Sequence, residues 1–102
     1  MTQPFRKHER IEKRLPISVN KSAAMSADLS TAGFCLESPV IRRRGDVVTG
    51  FVLHGDKELT WSGRVQWVQV GDPMASTWHR MGVEFIRVSP GLRALLSILT
   101  RR

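Results

Sequence analysis

Val47-Val48-Thr49-Gly50-Phe51-Val52-Leu53-His54-Gly55-Asp56-Lys57-Glu58-Leu59-Thr60-Trp61-Ser62-Gly63-Arg64-Val65-Gln66-Trp67-Val68-Gln69-Val70 reads as two long strands joined by a tight hairpin. The apolar stretches Val47–Leu53 and Leu59–Val70 are separated by His54-Gly55-Asp56-Lys57, and the Gly-Asp pair suits a two-residue turn between antiparallel strands. In the second strand Trp61, Val65 and Trp67 fall on one face, while Ser62, Arg64 and Gln66 fall on the other. The first face is expected to point inward, which places both tryptophans in the core.

The same period of two extends to both sides. Upstream, Leu15, Ile17 and Val19 alternate with Pro16, Ser18 and Asn20, so a first strand starts at Leu15. A second run leads to Asp28 and a third, Phe34 to Glu37, closes at Ser38-Pro39. The six residues Asp28 to Gly33 therefore join two strands. Downstream, Gly71-Asp72-Pro73 opens a loop, and Met81, Val83 and Phe85 then alternate with Arg80, Gly82 and Glu84 in a last strand. After that the period changes. Ser89 followed by Pro90 is an N-cap with proline at the first helical position, and Leu92, Leu95, Leu96 and Leu99 recur at helical spacing. About six short strands followed by one helix predict a small antiparallel barrel whose open end or flank the helix covers.

The chain holds 102 residues, which fits one domain, and 41% apolar with 25% charged residues is an ordinary globular composition. Three segments follow: a basic arm over 1–14, a barrel over 15–88 and a helix over 89–102. A net charge of +7 points to a partner that carries negative charge. The lone Cys35 excludes an internal disulfide, and His8, His54 and His79 lie too far apart for a zinc motif. The first ten residues lack the apolar run of a secretory signal, and Leu92–Leu99 is too short for a membrane span, so a cytoplasmic location is expected. No nucleophile with a base, no carboxylate pair and no phosphate-binding glycine loop stands out, so the chain does not read as an enzyme.

Several features bear on binding, and each also has a plainer explanation. The arm Arg6-Lys7-His8-Glu9-Arg10-Ile11-Glu12-Lys13-Arg14 has the composition of a solvated tail. The turn Asp28-Leu29-Ser30-Thr31-Ala32-Gly33 is rich in residues that form turns for backbone reasons. Arg42-Arg43-Arg44 reads as loop surface, Trp61, Trp67 and Trp78 mainly as core, and Cys35 as a small packing residue.

Arm and turn become informative together. Arg6-x-x-x-Arg10, then Pro16 opening a strand, then Asp28-x-Ser30-x-x-Gly33 between strands, resembles the PilZ domain family of bacterial receptors for cyclic di-GMP. The resemblance covers nearly the whole chain and extends to Gly63-Arg64-Val65-Gln66-Trp67 and Gly82-Val83-Glu84-Phe85. It implies a mainly all-β fold, a six-stranded antiparallel barrel with a C-terminal α-helix, in agreement with the pattern. Arg10-x-x-x-Arg14 also fits the short motif. Arg6 and Arg10 are preferred because Arg10 precedes Leu15-Pro16 by several residues, which leaves Arg14 as a flanking charge.

The resemblance implies a ligand with two phosphates and two guanines, with Arg6, Arg10, Asp28, Ser30 and Gly33 as its site. An arginine fork can bond guanine O6 and N7, clamp a phosphate or stack on a base. Four extended residues reach about 13 Å, so Arg6 and Arg10 can address different parts of one ligand. Asp28 would accept from the N1–H and N2–H of guanine. Ser30 would donate its hydroxyl to base or phosphate, and Gly33 would allow positive φ and a close approach of backbone to ligand. Phe5 stands where many relatives carry a further arginine, which favours one ligand molecule per site. The polar arm is expected to be mobile alone and to order over the ligand. No cofactor is implied beyond the ligand, and a downstream protein partner follows because 102 residues leave no room for an output domain. Two alternatives remain: a barrel of this type that binds protein without nucleotide, and a basic barrel binding single-stranded nucleic acid, against which the inward tryptophans argue.

Overall fold

The computed structural model describes residues 10–101. The chain runs β1 (Ile11–Glu12), β2 (Pro16–Val19), β3 (Ser22–Leu29), β4 (Gly33–Ser38), β5 (Val47–His54), β6 (Lys57–Gln69), a single 3-10 turn at Pro73–Ala75, β7 (His79–Val88) and α1 (Pro90–Thr100). Every pairing is antiparallel, in the order β1-β3-β2-β5-β6-β7-β4, and β4 returns to pair with β3. That last pairing closes the sheet. β1 and β2 both lie along the same partner, β3, with Glu12 opposite Asp28 and Pro16 opposite Met25. They act as one interrupted stave, and the result is a closed barrel of six antiparallel staves with one C-terminal helix.

The interruption between β1 and β2 has a cause. Ser26, fully buried on β3, accepts a hydrogen bond from the Leu15 N–H at 2.8 Å and donates to the Lys13 carbonyl at 2.5 Å. One hydroxyl thus satisfies both backbone groups that the break leaves unpaired. Ile11 packs against the core and pairs with Leu29, so the end of the segment expected to be a free arm is part of the sheet. Its single apolar side chain supplies the reason.

Alternation fills the barrel as expected over most of its length. Ile17, Val19, Phe34, Leu36, Val48, Val52, Trp61, Val65, Met81 and Val83 are buried in one cluster. Phe34 meets Trp61 and Phe85 edge to face at centroid distances of 4.8 and 4.7 Å. Each such pair contributes about 0.5–1.5 kcal/mol beyond its burial. The predicted hairpin forms, with Gly55 at φ +64°. The predicted helix forms too: the Ser89 hydroxyl caps the Leu92 N–H at 3.2 Å, and Leu92, Leu95 and Leu96 seal one mouth of the barrel.

Trp67 departs from the expected alternation. Val65 stands opposite Val83 and Trp67 opposite Gly82, so Gln66 is an extra residue on β6, a β-bulge. Past it the phase inverts: Val68 packs against the core, while Trp67 lies outside the barrel and is 45% exposed. Trp78, on the β6–β7 loop, is also outside. Of the three tryptophans, Trp61 alone is core.

Candidate functional site

The site is built on the outside of the barrel where β3, β4, β7 and β6 run side by side. On β4, Phe34 and Leu36 point inward, so Cys35 and Glu37 face out. Register then sets one row across the surface: Asp28 opposite Cys35, Cys35 opposite Gly82, and Gly82 opposite Trp67. The row spans three strand spacings, about 14 Å. A Cβ at Gly82 would fall 2.0 Å from Trp67 Nε1, so the indole lies directly over the glycine. Any side chain at residue 82 would lift it off.

Arg10 enters from the edge of this row. Its Nη1 donates to Asp28 Oδ1 at 2.5 Å, with both side chains about one third exposed. The two half-motifs, eighteen residues apart in the chain, thus meet at one point. Arg6 lies outside the described residues, as does the rest of segment 1–9, so the expectations for Arg6 and for ordering of the arm are not addressed by the structure. Arg14 is more than a flanking charge. It bonds Glu37 at 2.7 Å, and Arg80 on β7 bonds the other oxygen of the same carboxylate at 2.9 Å. The Arg14 hydrogen bond, with that of Arg80, holds the Glu37 carboxyl below its ordinary value despite some burial. A depression of about 320 Å³ is lined by Asp28, Arg14 and Arg80 among others, and a second of about 710 Å³ is lined by Arg14, Glu37, Arg80 and Trp78 among others. Cys35, opposite Asp28, is buried, and burial, followed by the charge of Asp28, pushes its thiol pKa up. The thiol is therefore inert packing.

Ser30 and Gly33 stand where the sequence places them, with different physical tasks. Ser30 is buried, and its hydroxyl accepts from the N–H groups of Ala32 and Gly33 at 3.1 and 3.2 Å and donates to the Gly33 carbonyl. The group expected to reach a ligand is engaged within the turn it shapes. Gly33 is not at positive φ. A Cβ there would fall 2.1 Å from the Val83 carbonyl oxygen, so glycine is required by the close approach of β7 rather than of a ligand. The Phe85 N–H donates to the Ala32 carbonyl at 2.8 Å and completes the attachment of the turn to β7.

Trp67, Gly82, Arg80 and Ser26 are the neighbours that pattern reading did not single out as site residues. Gly82 was visible as a glycine at an outward position of a strand. The bulge that carries Trp67 to the same surface leaves no mark in one sequence.

A small closed barrel whose outer row sets Arg10 against Asp28 and ends at the exposed Trp67 has the architecture of a surface-binding domain. The PilZ domain model matches residues 4–101, and the chain belongs to the PilZ domain family, a family of cyclic di-GMP-binding domains. Comparison with curated proteins finds no match. Among solved structures, the Bacillus subtilis inhibitor of motility (MotI/DgrA) superposes with a TM-score of 0.77 at 14% identity over 96% of this chain. That likeness is one of fold, and the chain spans 50% of the length of that protein.

Proposed function

We propose that this chain is a cyclic di-GMP receptor whose ligand lies across the outer row from Arg10 to Trp67. Arg10 and Arg6 supply the positive forks, Asp28 reads a guanine edge, and Trp67 offers a face for stacking. Ser30 and Gly33 act by shaping the turn that holds Asp28. The single observation that carries this reading is the 2.5 Å contact of Arg10 with Asp28, which joins both motifs in one patch. In the bound state Asp28 would divide its lone pairs between arginine and guanine, so the pair pre-orients both groups at little cost. A protein partner then receives the signal, in keeping with a family that acts through partners.

Calorimetric titration of the full chain with cyclic di-GMP tests the assignment. Arg10→Ala should weaken binding about 10- to 150-fold, the loss of charge-assisted bonds worth about 1.5–3 kcal/mol. Unchanged affinity in that variant rejects the site. Arg6→Ala should match it, and Arg14→Ala should lose less. A larger loss at Arg14 would shift the arginine motif to Arg10 and Arg14. Cyclic di-AMP should compete poorly, because adenine presents N1 as an acceptor to a carboxylate that only accepts.

The outward position of Trp67 favours a second reading, a surface for single-stranded nucleic acid. Tight oligonucleotide binding that excess cyclic di-GMP does not displace would establish it in place of the first.

A further inference from the structure

The end of the barrel opposite α1 carries a surface that the dinucleotide reading leaves unused. Three connections meet there: the Asn20-Lys21 turn, the 39–46 crossing from β4 to β5, and the 70–78 loop from β6 to β7. In the ring of staves β4 and β5 stand opposite each other, so the 39–46 segment must cross the barrel mouth. The crossing is tied down from both sides. Arg42 Nη2 donates to the Val19 carbonyl at 3.2 Å, and the Gly45 N–H donates to the Val65 carbonyl at 2.7 Å.

Polarity at this mouth is inverted. Arg42 turns toward the barrel and is half-buried, while Ile41 beside it is 55% exposed. Six of the ten exposed large apolar side chains among the described residues cluster at this end: Val40, Ile41, Val47, Val70, Met74 and Trp78. Met74, at the crest of the 3-10 turn, is 93% exposed. Ser38 stands opposite His79, so the crossing leaves the barrel next to the end of the loop that carries Trp78 and Met74. Around these apolar tips stand Lys21, Arg43, Arg44 and Arg64, and among the described residues none of the four pairs with a carboxylate. The carboxylates nearby serve the backbone instead: Asp46 accepts from the Arg43 N–H, and Asp72 from the Met74 N–H, both at 2.9 Å.

We infer that this end of the barrel docks on an anionic lipid bilayer. Protruding apolar tips ringed by unpaired cations are what a charged interface accepts: the tips enter the headgroup layer and the arginines stay at lipid phosphates. Tryptophan at the margin of such a patch suits the same layer. Nucleic acid would use the cations but gain little from Val40, Ile41, Val47 and Met74, since its binders stack bases on aromatic rings. Met74 and Ile41 stand out on loop crests, which fits a flat partner, while Val70 and Trp78 also line the depression of about 710 Å³ that reaches Arg14, Glu37 and Arg80.

Flotation of the full chain with vesicles tests the inference. It should partition onto vesicles of phosphatidylcholine containing one third phosphatidylglycerol, and not onto phosphatidylcholine alone. Arg43→Gln with Arg44→Gln should lower the partition by about fivefold per arginine removed. Ile41→Ser with Met74→Ser should lower it without altering the salt dependence, because those side chains carry no charge. Tryptophan emission should shift to the blue on binding, and Trp78→Phe should remove most of that shift. Ile41, Arg43, Arg44 and Met74 are outside the core and outside the depressions lined by Arg14 and Arg80, so for those variants melting temperature and cyclic di-GMP affinity serve as controls that should not move. Absence of partition at low salt, equal partition onto neutral vesicles, or displacement from vesicles by an oligonucleotide through the same arginines would each overturn the inference.

Discussion

At Gly33 a methyl group would compete for space with the Val83 carbonyl oxygen, whereas at Ser30 the hydroxyl holds two backbone N–H groups of the same turn. Both residues therefore act by shaping the turn, and in the proposed site they would affect the ligand through the fold. Gly33→Ala should cost about 1–3 kcal/mol by overpacking, and Ser30→Ala about 1–3 kcal/mol by leaving buried donors unsatisfied. Thermal denaturation should show both losses before any ligand is added. Trp67 is expected to behave in the opposite manner. It lies outside the core, so Trp67→Ala should melt close to the parent yet lose about 5- to 150-fold in cyclic di-GMP affinity, the range for one stacked base. An unchanged titration would remove Trp67 from the binding surface. Gly82→Ala links the two kinds of effect, because its methyl would displace the indole by steric contact alone.

Among the elements, β1 matters more than its two residues suggest. It is held at one end by Ile11 against the core and at the other by Ser26, which spans the break to β2. Ser26→Ala leaves the Leu15 N–H and the Lys13 carbonyl without that partner, so about 1–3 kcal/mol of stability should be lost. Affinity should fall as well, since β1 is what delivers Arg10 to Asp28. By contrast, Leu96→Ala in α1 should cost about 2–5 kcal/mol by opening a cavity, with affinity unchanged in the fraction that remains folded. Comparing denaturation with titration for the two variants separates an element that positions the site from one that closes the core. The Arg14–Glu37–Arg80 tie between the first stave, β4 and β7 has a pH signature. The folded carboxyl lies below its ordinary 4.5, so its contribution is complete above that value and disappears as pH falls through the lowered one. Glu37→Gln should flatten the acid limb of the stability profile and change little at neutral pH, where exposed pairs contribute at most about 1 kcal/mol.

Considered whole, the barrel has one mouth sealed by apolar helix residues and the other crossed by a loop, so nothing is required of its interior beyond packing. The outer surface offers two proposed binding regions, the row from Arg10 to Trp67 and the basic end, which adjoin at the depression lined by Arg14, Arg80 and Trp78. Salt should distinguish them. A ligand with two phosphates should lose only about sevenfold in affinity between about 50 and 200 mM salt. Partition onto anionic vesicles, which draws on several unpaired arginines at once, should fall much more steeply. Parallel salt titrations of the two processes check this, and identical slopes would mean that both rely on the same cations.

The staves, the hairpin and the helix were legible in one dimension because each rests on local periodicity and capping: Ile17 and Val19 on a strand, Ser89-Pro90 and the leucines on α1. The arginine and Asp-x-Ser-x-x-Gly motifs were legible for the same reason, as spacing along the chain. What they do physically was decided in three dimensions. Whether Trp67 faces in or out depends on one extra residue opposite β7, and a bulge is a property of the pair of strands rather than of either alone. Gly33 and Gly82 are set by backbone and indole atoms that lie tens of residues away or on a neighbouring stave. The exposed mouth depends on which staves stand opposite each other, because strand order is a long-range choice. Local pattern determines how each segment folds; the closing of β3 onto β4 determines which segments share a surface.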